Sequence, residues 1–173
     1  MPNTIEQLGV KAAGTVKAVK AGYNGLRGVF LHLAEEHGEL AAMMKRVDKR
    51  QDPHIRREHY AKIRVELLSH ERAELAEIYP ALIPYDATRE MVVLHNREAA
   101  QLESAIRAVD ALDPAGEAWG LAFERLRALV DQHIQQEEEH FFPKAQAALG
   151  DAAAETLRTR YETAKVSAKQ QLA

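Results

Sequence analysis

One pattern occurs twice in this chain. His70-x3-Glu74 is followed by Tyr79-Pro80, and His133-x3-Glu137 is followed at the same offsets by Phe142-Pro143. Residues four apart on an α-helix lie about 40° apart around the axis and about 6 Å along it, so each copy aims an imidazole and a carboxylate at one spot. Two such helices set face to face would build a site for two metal ions.

The rest of the chain supplies helices for that arrangement. Strand signals are almost absent, whereas Asp52-Pro53, Asp86, Asp113-Pro114 and Asp151 read as helix N-caps, two of them with proline at the first helical position. Reading from cap to stop predicts helices near 27–50, 53–79, 87–111 and 114–142, with weaker ones near 4–23 and 152–171. Each central segment carries an apolar stripe of helical period: Phe30, Leu33, Leu40, Met44 and Val47; Ile63, Leu67 and Ile78; Met91, Ala99, Leu102 and Ile106; Trp119, Ala122, Leu126, Val130 and Phe141. The expected fold is all-α, an up-down-up-down four-helix bundle over 26–148. An N-terminal amphipathic helix within 1–25 and a C-terminal helix within 149–173 flank it.

Four histidines interrupt these stripes at positions that would otherwise be apolar: His37, His70, His95 and His133. Counted from the end of the bundle where the first helix starts and the second stops, each stands about nine or ten residues in, roughly 14 Å. Unrelated core histidines would seldom share a level. Glu74 and Glu137 lie one turn nearer that end on the same faces. Two buried, unpaired carboxylates would cost several kcal/mol each, so cations must neutralise them or protons must. With no cysteine in the chain, any metal is held by histidine and carboxylate, a donor set suited to iron, manganese or zinc.

This combination resembles the hemerythrin-like, or HHE cation-binding, domains, which are four-helix bundles holding a non-haem di-iron centre. The residues that carry the resemblance are Glu36-His37 in the first helix, the two His-x3-Glu copies with their trailing Tyr-Pro and Phe-Pro, and Leu94-His95 in the third. It implies a cofactor of two iron ions, with His37, His70, His95 and His133 as terminal ligands and Glu74 and Glu137 as bridges. Glu71 also matches a ligand used in some members, although its place beside His70 equally suits a solvated carboxylate at the rim. The oxygen-carrying members place a second histidine where this chain has Ala99, and they space the last carboxylate as Glu138 rather than Glu137. With fewer protein ligands, open coordination positions would face the pocket.

The expected function is therefore binding or sensing of a small diatomic ligand or peroxide, such as oxygen, nitric oxide or hydrogen peroxide. The alternative on the same site is an enzyme that decomposes peroxide or reduces nitric oxide. An iron donor and a metal-free structural bundle are further classes. A formal charge of -3 suggests no nucleic-acid partner, and no apolar run suggests an integral membrane segment. The same features, with no secretory signal pattern, are read as cytoplasmic. Tyr79 and Phe142 are expected to plug the core below the metals, and Glu138 and Glu139 to form an exposed acidic face. The N-terminal stripe of Ile5, Leu8, Ala12, Val16, Val19 and Tyr23 suits a membrane surface or partner, or packing across the bundle. The C-terminal stripe of Leu157, Tyr161, Ala164 and Ala168 would pair with it or with a second copy in a homodimer.

Overall fold

The Asp52-Pro53 signal is realised as expected. One Asp52 oxygen accepts from the backbone N–H of His54 at 2.8 Å and of Ile55 at 3.2 Å, while Pro53 takes a position that needs no N–H. The structure, a computed structural model, describes residues 4–48 and 52–172, so the expected end of the first bundle helix at 49–50 lies outside the described residues. The order is α1 (Thr4–Tyr23), α2 (Gly28–Asp48), α3 (Pro53–Ala73), a π turn (Glu74–Ile78), α4 (Tyr79–Leu82), α5 (Asp86–Asp110), α6 (Glu117–Gln136), a second π turn (Glu137–Phe141), α7 (Phe142–Leu149) and α8 (Asp151–Leu172). Among the described residues there is no strand, and the fold is all-α. No helix among them is long and apolar enough to cross a membrane.

Three expected caps are displaced, Asp151 among them, since it is the first residue of α8 and the Ala154 N–H bonds the Gly150 carbonyl before it. Asp113 makes a turn instead, its side chain accepting from the Ala115 N–H at 3.0 Å and its carbonyl from the Gly116 N–H at 2.8 Å, and α6 begins after Gly116. An aspartate that bonds the backbone two residues on closes a turn in competition with capping a helix. At α5 the cap position belongs to Tyr85, and Asp86 is the first helical residue.

The larger correction concerns where the second and fourth bundle helices stop. They do not end at 79 and 142. Each passes its proline through a π turn that starts at the glutamate of the repeat: the Tyr79 N–H bonds the Glu74 carbonyl, and the Phe142 N–H bonds the Glu137 carbonyl. Pro80 and Pro143 lack an N–H and would collide with the carbonyl four residues back, and widening the turn removes that collision. The helices then continue as α4 and α7.

The apolar core is split into two clusters by a polar layer. Toward one end lie Phe30, Leu33, Ile78, Tyr79, Leu82, Phe141 and Phe142; toward the other lie Leu40, Met44, Ile63, Leu67, Leu102, Leu126 and Val130. In every bundle helix the histidine falls between its two sets, which is the shared depth expected from counting residues. His37, His70, His95 and His133 are 1%, 4%, 0% and 4% exposed.

The terminal helices pack on this bundle, α1 along α2 and α8 against α2 and α3. Glycine makes the first contact close. A Cβ on Gly38 would stand 2.7 Å from the Ala13 carbonyl oxygen, and one on Gly14 would stand 2.9 Å from that of Glu35. The face that packs is therefore the small one. Leu8, Val16, Val19 and Tyr23 point outward, from 64% to 92% exposed. In α8 the stripe of Leu157, Tyr161 and Ala168 is buried against its own chain.

Candidate metal centre

Three histidines turn Nδ1 toward a single carboxylate, and a fourth toward a carboxylate and a phenol. His37 Nδ1 lies 3.0 Å from Glu138, His95 Nδ1 2.9 Å and His133 Nδ1 3.1 Å from Glu98, and His70 Nδ1 2.9 Å from both Glu36 and the Tyr161 hydroxyl. A proton on Nδ1, held by the carboxylate, leaves Nε2 with its lone pair directed into the layer.

The inward atoms converge in two groups. In the first, donor atoms of His37, His70, Glu74 and Glu137 lie within 4.8 Å of one another. The two Nε2 atoms are 3.3 Å apart, with Glu137 Oε2 3.3 Å from His37 and Glu74 Oε2 3.5 Å from His70. In the second, Glu71, Glu74 and His133 meet within the same limit, His133 Nε2 standing 3.2 Å from Glu71 Oε1. Glu74 belongs to both groups. Glu137 Oε2 reaches both as well, since it is also 3.5 Å from His133 Nε2. His95 flanks the second group, its ring 5.3 Å from that of His133 and its Nε2 buried. A third set of nearby donors, His95, Glu98 and His133, reflects the Nδ1 contacts to Glu98.

These residues fit a pair of cations. Both Glu71 oxygens, Glu74 Oε1, Glu137 Oε2, His95 Nε2 and His133 Nε2 are buried with no hydrogen bond, the 3.2 Å approach of His133 to Glu71 being out of line for one. That many unanswered polar atoms in one core would be costly unless metal ions answer them. Burial, followed by repulsion from Glu137 and Glu71, pushes the Glu74 carboxyl well above its usual range. Burial would lower the His133 pKa, but the neighbouring charges of Glu137 and Glu71 overcome it and raise the imidazole well above its ordinary value. Cations are the opposite charge that relieves this strain.

Glu71 is 5% exposed and faces the second group across the bundle, so it is no rim carboxylate. Its turn of about 100° from His70 aims it at the other group rather than at its own helix partner. Glu138 is likewise not simply surface, for it accepts from His37 and, at 2.7 Å, from Lys17 of α1. His140 is exposed. Phe142 stacks on His37 with centroids 5.7 Å apart, and Tyr79 stacks on His95 at 5.8 Å, matching places in the two repeats. Tyr79 does more than plug the core, since its hydroxyl stands 3.4 Å from Glu74 and 3.3 Å from Glu137. Ala99 is buried one turn from His95 and offers no donor.

Sequence reading missed the outer support. Glu98 carried a local signal, being three residues from His95 on the same helix face. Tyr161 and Lys165 carried none. Both stand 2.7 Å from Glu36, which also lies 3.1 Å from His32. Burial works against the charge of Glu36, but hydrogen bonds from His32 and His70 and the Lys165 ammonium hold its carboxyl well below the usual range. A pocket of about 420 Å³ lined by residues of α1, α2, α3 and α8 opens onto Glu36 and His70.

Residues 23–145 match the family model of the Hemerythrin HHE cation binding domain. A DNA nickase from Nostoc sp. is 21% identical over 137 residues, which are 79% of this chain and 39% of that protein. The chain thus spans well under half the length of this curated relative. No solved structure matches it.

Proposed function

The chain belongs to the hemerythrin HHE cation-binding family, and we propose that it holds two iron ions between α2, α3, α5 and α6 to bind or sense oxygen, nitric oxide or peroxide. His37 and His70 would hold one ion, and His95, His133 and Glu71 the other. Glu74 and Glu137 would serve both. The observation that carries this reading is the sharing: Glu74 lies in both donor groups, and Glu137 approaches one histidine of each. Iron so held would supply ferrous–ferric chemistry and a position for an external ligand.

The chain's own residues define the surroundings of that position. Two apolar clusters exclude water above and below the layer, and four Nδ1 contacts fix the ring orientations. Ala99 leaves its side of the layer without a donor. The lack of cysteine suits a reducing compartment such as the cytoplasm.

Elemental analysis with visible spectra before and after reduction and exposure to oxygen tests the proposal. Two irons per chain and a spectrum that responds to oxygen, nitric oxide or peroxide are expected. Less than one metal per chain would sink it. Turnover of peroxide or nitric oxide is the competing reading, favoured by the Tyr79 hydroxyl, which holds a proton against both shared carboxylates. Reversible ligand binding without catalytic loss of peroxide or nitric oxide would exclude turnover.

A further inference from the structure

The two pairs of histidines are supported differently. His37 and His70 each have a carboxylate of their own, Glu138 and Glu36, and each of these is gripped by a terminal helix. Lys17 of α1 is 2.7 Å from Glu138, and Tyr161 and Lys165 of α8 are each 2.7 Å from Glu36. His95 and His133 instead share a single oxygen of Glu98, which comes from the bundle itself. The family match ends before α8 and barely meets the end of α1, so this support is an addition outside the matched region.

The inner donors differ in the same direction. Glu71 stands beside His133, whereas the corresponding place in the second repeat is Ile134, an apolar residue. One position therefore has an extra carboxylate. The other has two ammonium groups standing close behind its histidines, and its support depends on helices that must dock from outside. More negative charge and a self-contained support favour a bound cation; nearby cations and remote support disfavour it. The pocket of about 420 Å³ also reaches Glu36 and His70, which provides a route of exchange to the less favoured position.

We propose that the terminal helices act as positioning elements for one metal position only: Tyr161, directly and through Glu36, holds His70, Lys17 through Glu138 holds His37, and this position is the weaker and more exchangeable of the two. Tyr161 and Lys17 touch no reacting atom in this scheme. Their effect passes through the orientation of the two rings.

The inference rests on the two-metal reading, and a stepwise titration separates the two. Cobalt(II) is the probe, added anaerobically to the chelator-treated full chain and followed by calorimetry and visible absorption. The wild type is expected to take up two ions in two steps about ten-fold or more apart. Tyr161→Phe, which removes the α8 contact to Glu36, and Glu138→Gln, which removes the partner of Lys17 in α1, should each weaken only the looser step, by about ten-fold. Glu98→Gln should weaken the tighter step. General loosening of the fold would move both steps together, so selectivity is the readout that a merely structural role would not give. Uptake in one unresolved step, equal shifts of both steps, or unchanged binding in both of the first two variants overturns the inference while leaving two metals in place. Uptake of fewer than two ions removes the two-metal reading as well.

Discussion

Tyr79, from the first repeat, donates across the bundle toward Glu137, the carboxylate of the second, over 3.3 Å. The two copies of the motif are thus joined by a hydrogen bond. The contact is long for its type and adds no inward donor of its own.

Tyr79→Phe should therefore keep its full metal content and lose about 1 kcal/mol of stability, the net worth of a typical hydrogen bond. Urea unfolding and elemental analysis of one preparation check both halves. A loss of metal would mean that Tyr79 supports the centre more directly than its 3.3 Å and 3.4 Å contacts require.

Glu74 is strained by burial and by Glu137 and Glu71 beside it. In chelator-treated protein, Glu74→Gln should leave stability unchanged or raise it by about 1 kcal/mol, while metal uptake falls steeply. A glutamate kept for structure would behave the other way. Unfolding of the unloaded variant, set beside its metal content, distinguishes them.

The response to pH should have opposite signs with and without metal. His133 is raised above its ordinary 6.5, as is His37, each in spite of burial and because of neighbouring carboxylates, and burial with like charge raises Glu74 above 4.5. A raised group binds its proton more tightly when folded, so the stability it contributes is present below its ordinary pKa and is lost as pH climbs through the raised value. Unloaded protein should accordingly lose stability as pH rises above 6.5. Metal affinity should increase over the same window, because the ions displace those protons. Proton release on loading, measured by calorimetry in buffers of different ionisation enthalpy, checks the sign; uptake of protons would contradict it.

Gly38→Ala tests the close packing of α1 on α2. Alanine in place of glycine inside an exposed helix normally gains about 1 kcal/mol. Here the new Cβ would meet the Ala13 carbonyl oxygen at 2.7 Å, so a loss of about 1–3 kcal/mol is expected. Thermal unfolding decides it. A stabilised variant would mean that α1 does not lie against α2 in solution.

The exposed stripe of α1 shows how little an apolar stripe alone says about which face of a helix packs. Leu8, Val16, Val19 and Tyr23 recur at helical spacing and look like a buried face, yet the bundle takes the opposite side of the helix. Close approach favoured the glycines and alanines there, and the contact of Gly14 with Gly38 needs both helices to be small at one point. Periodicity reports that a face is apolar. It does not report which neighbour is near enough to use it.

The sequence by itself determined the level of the candidate centre and the helical spacing of its candidate donors, because both follow from rise and rotation per residue within a single helix. His37, His70, His95 and His133 share a layer for that reason, and each His-x3-Glu pair shares a face. The tertiary structure decided the rest. Glu71 meets His133, Tyr161 meets Glu36, and Lys17 meets Glu138 only through the relative rotation and approach of different helices, which depend on core shape and on where glycine permits contact. The π turns at Glu74 and Glu137 belong to both levels: proline prescribed a disturbance in the helix, and packing around the centre let the chain continue through it.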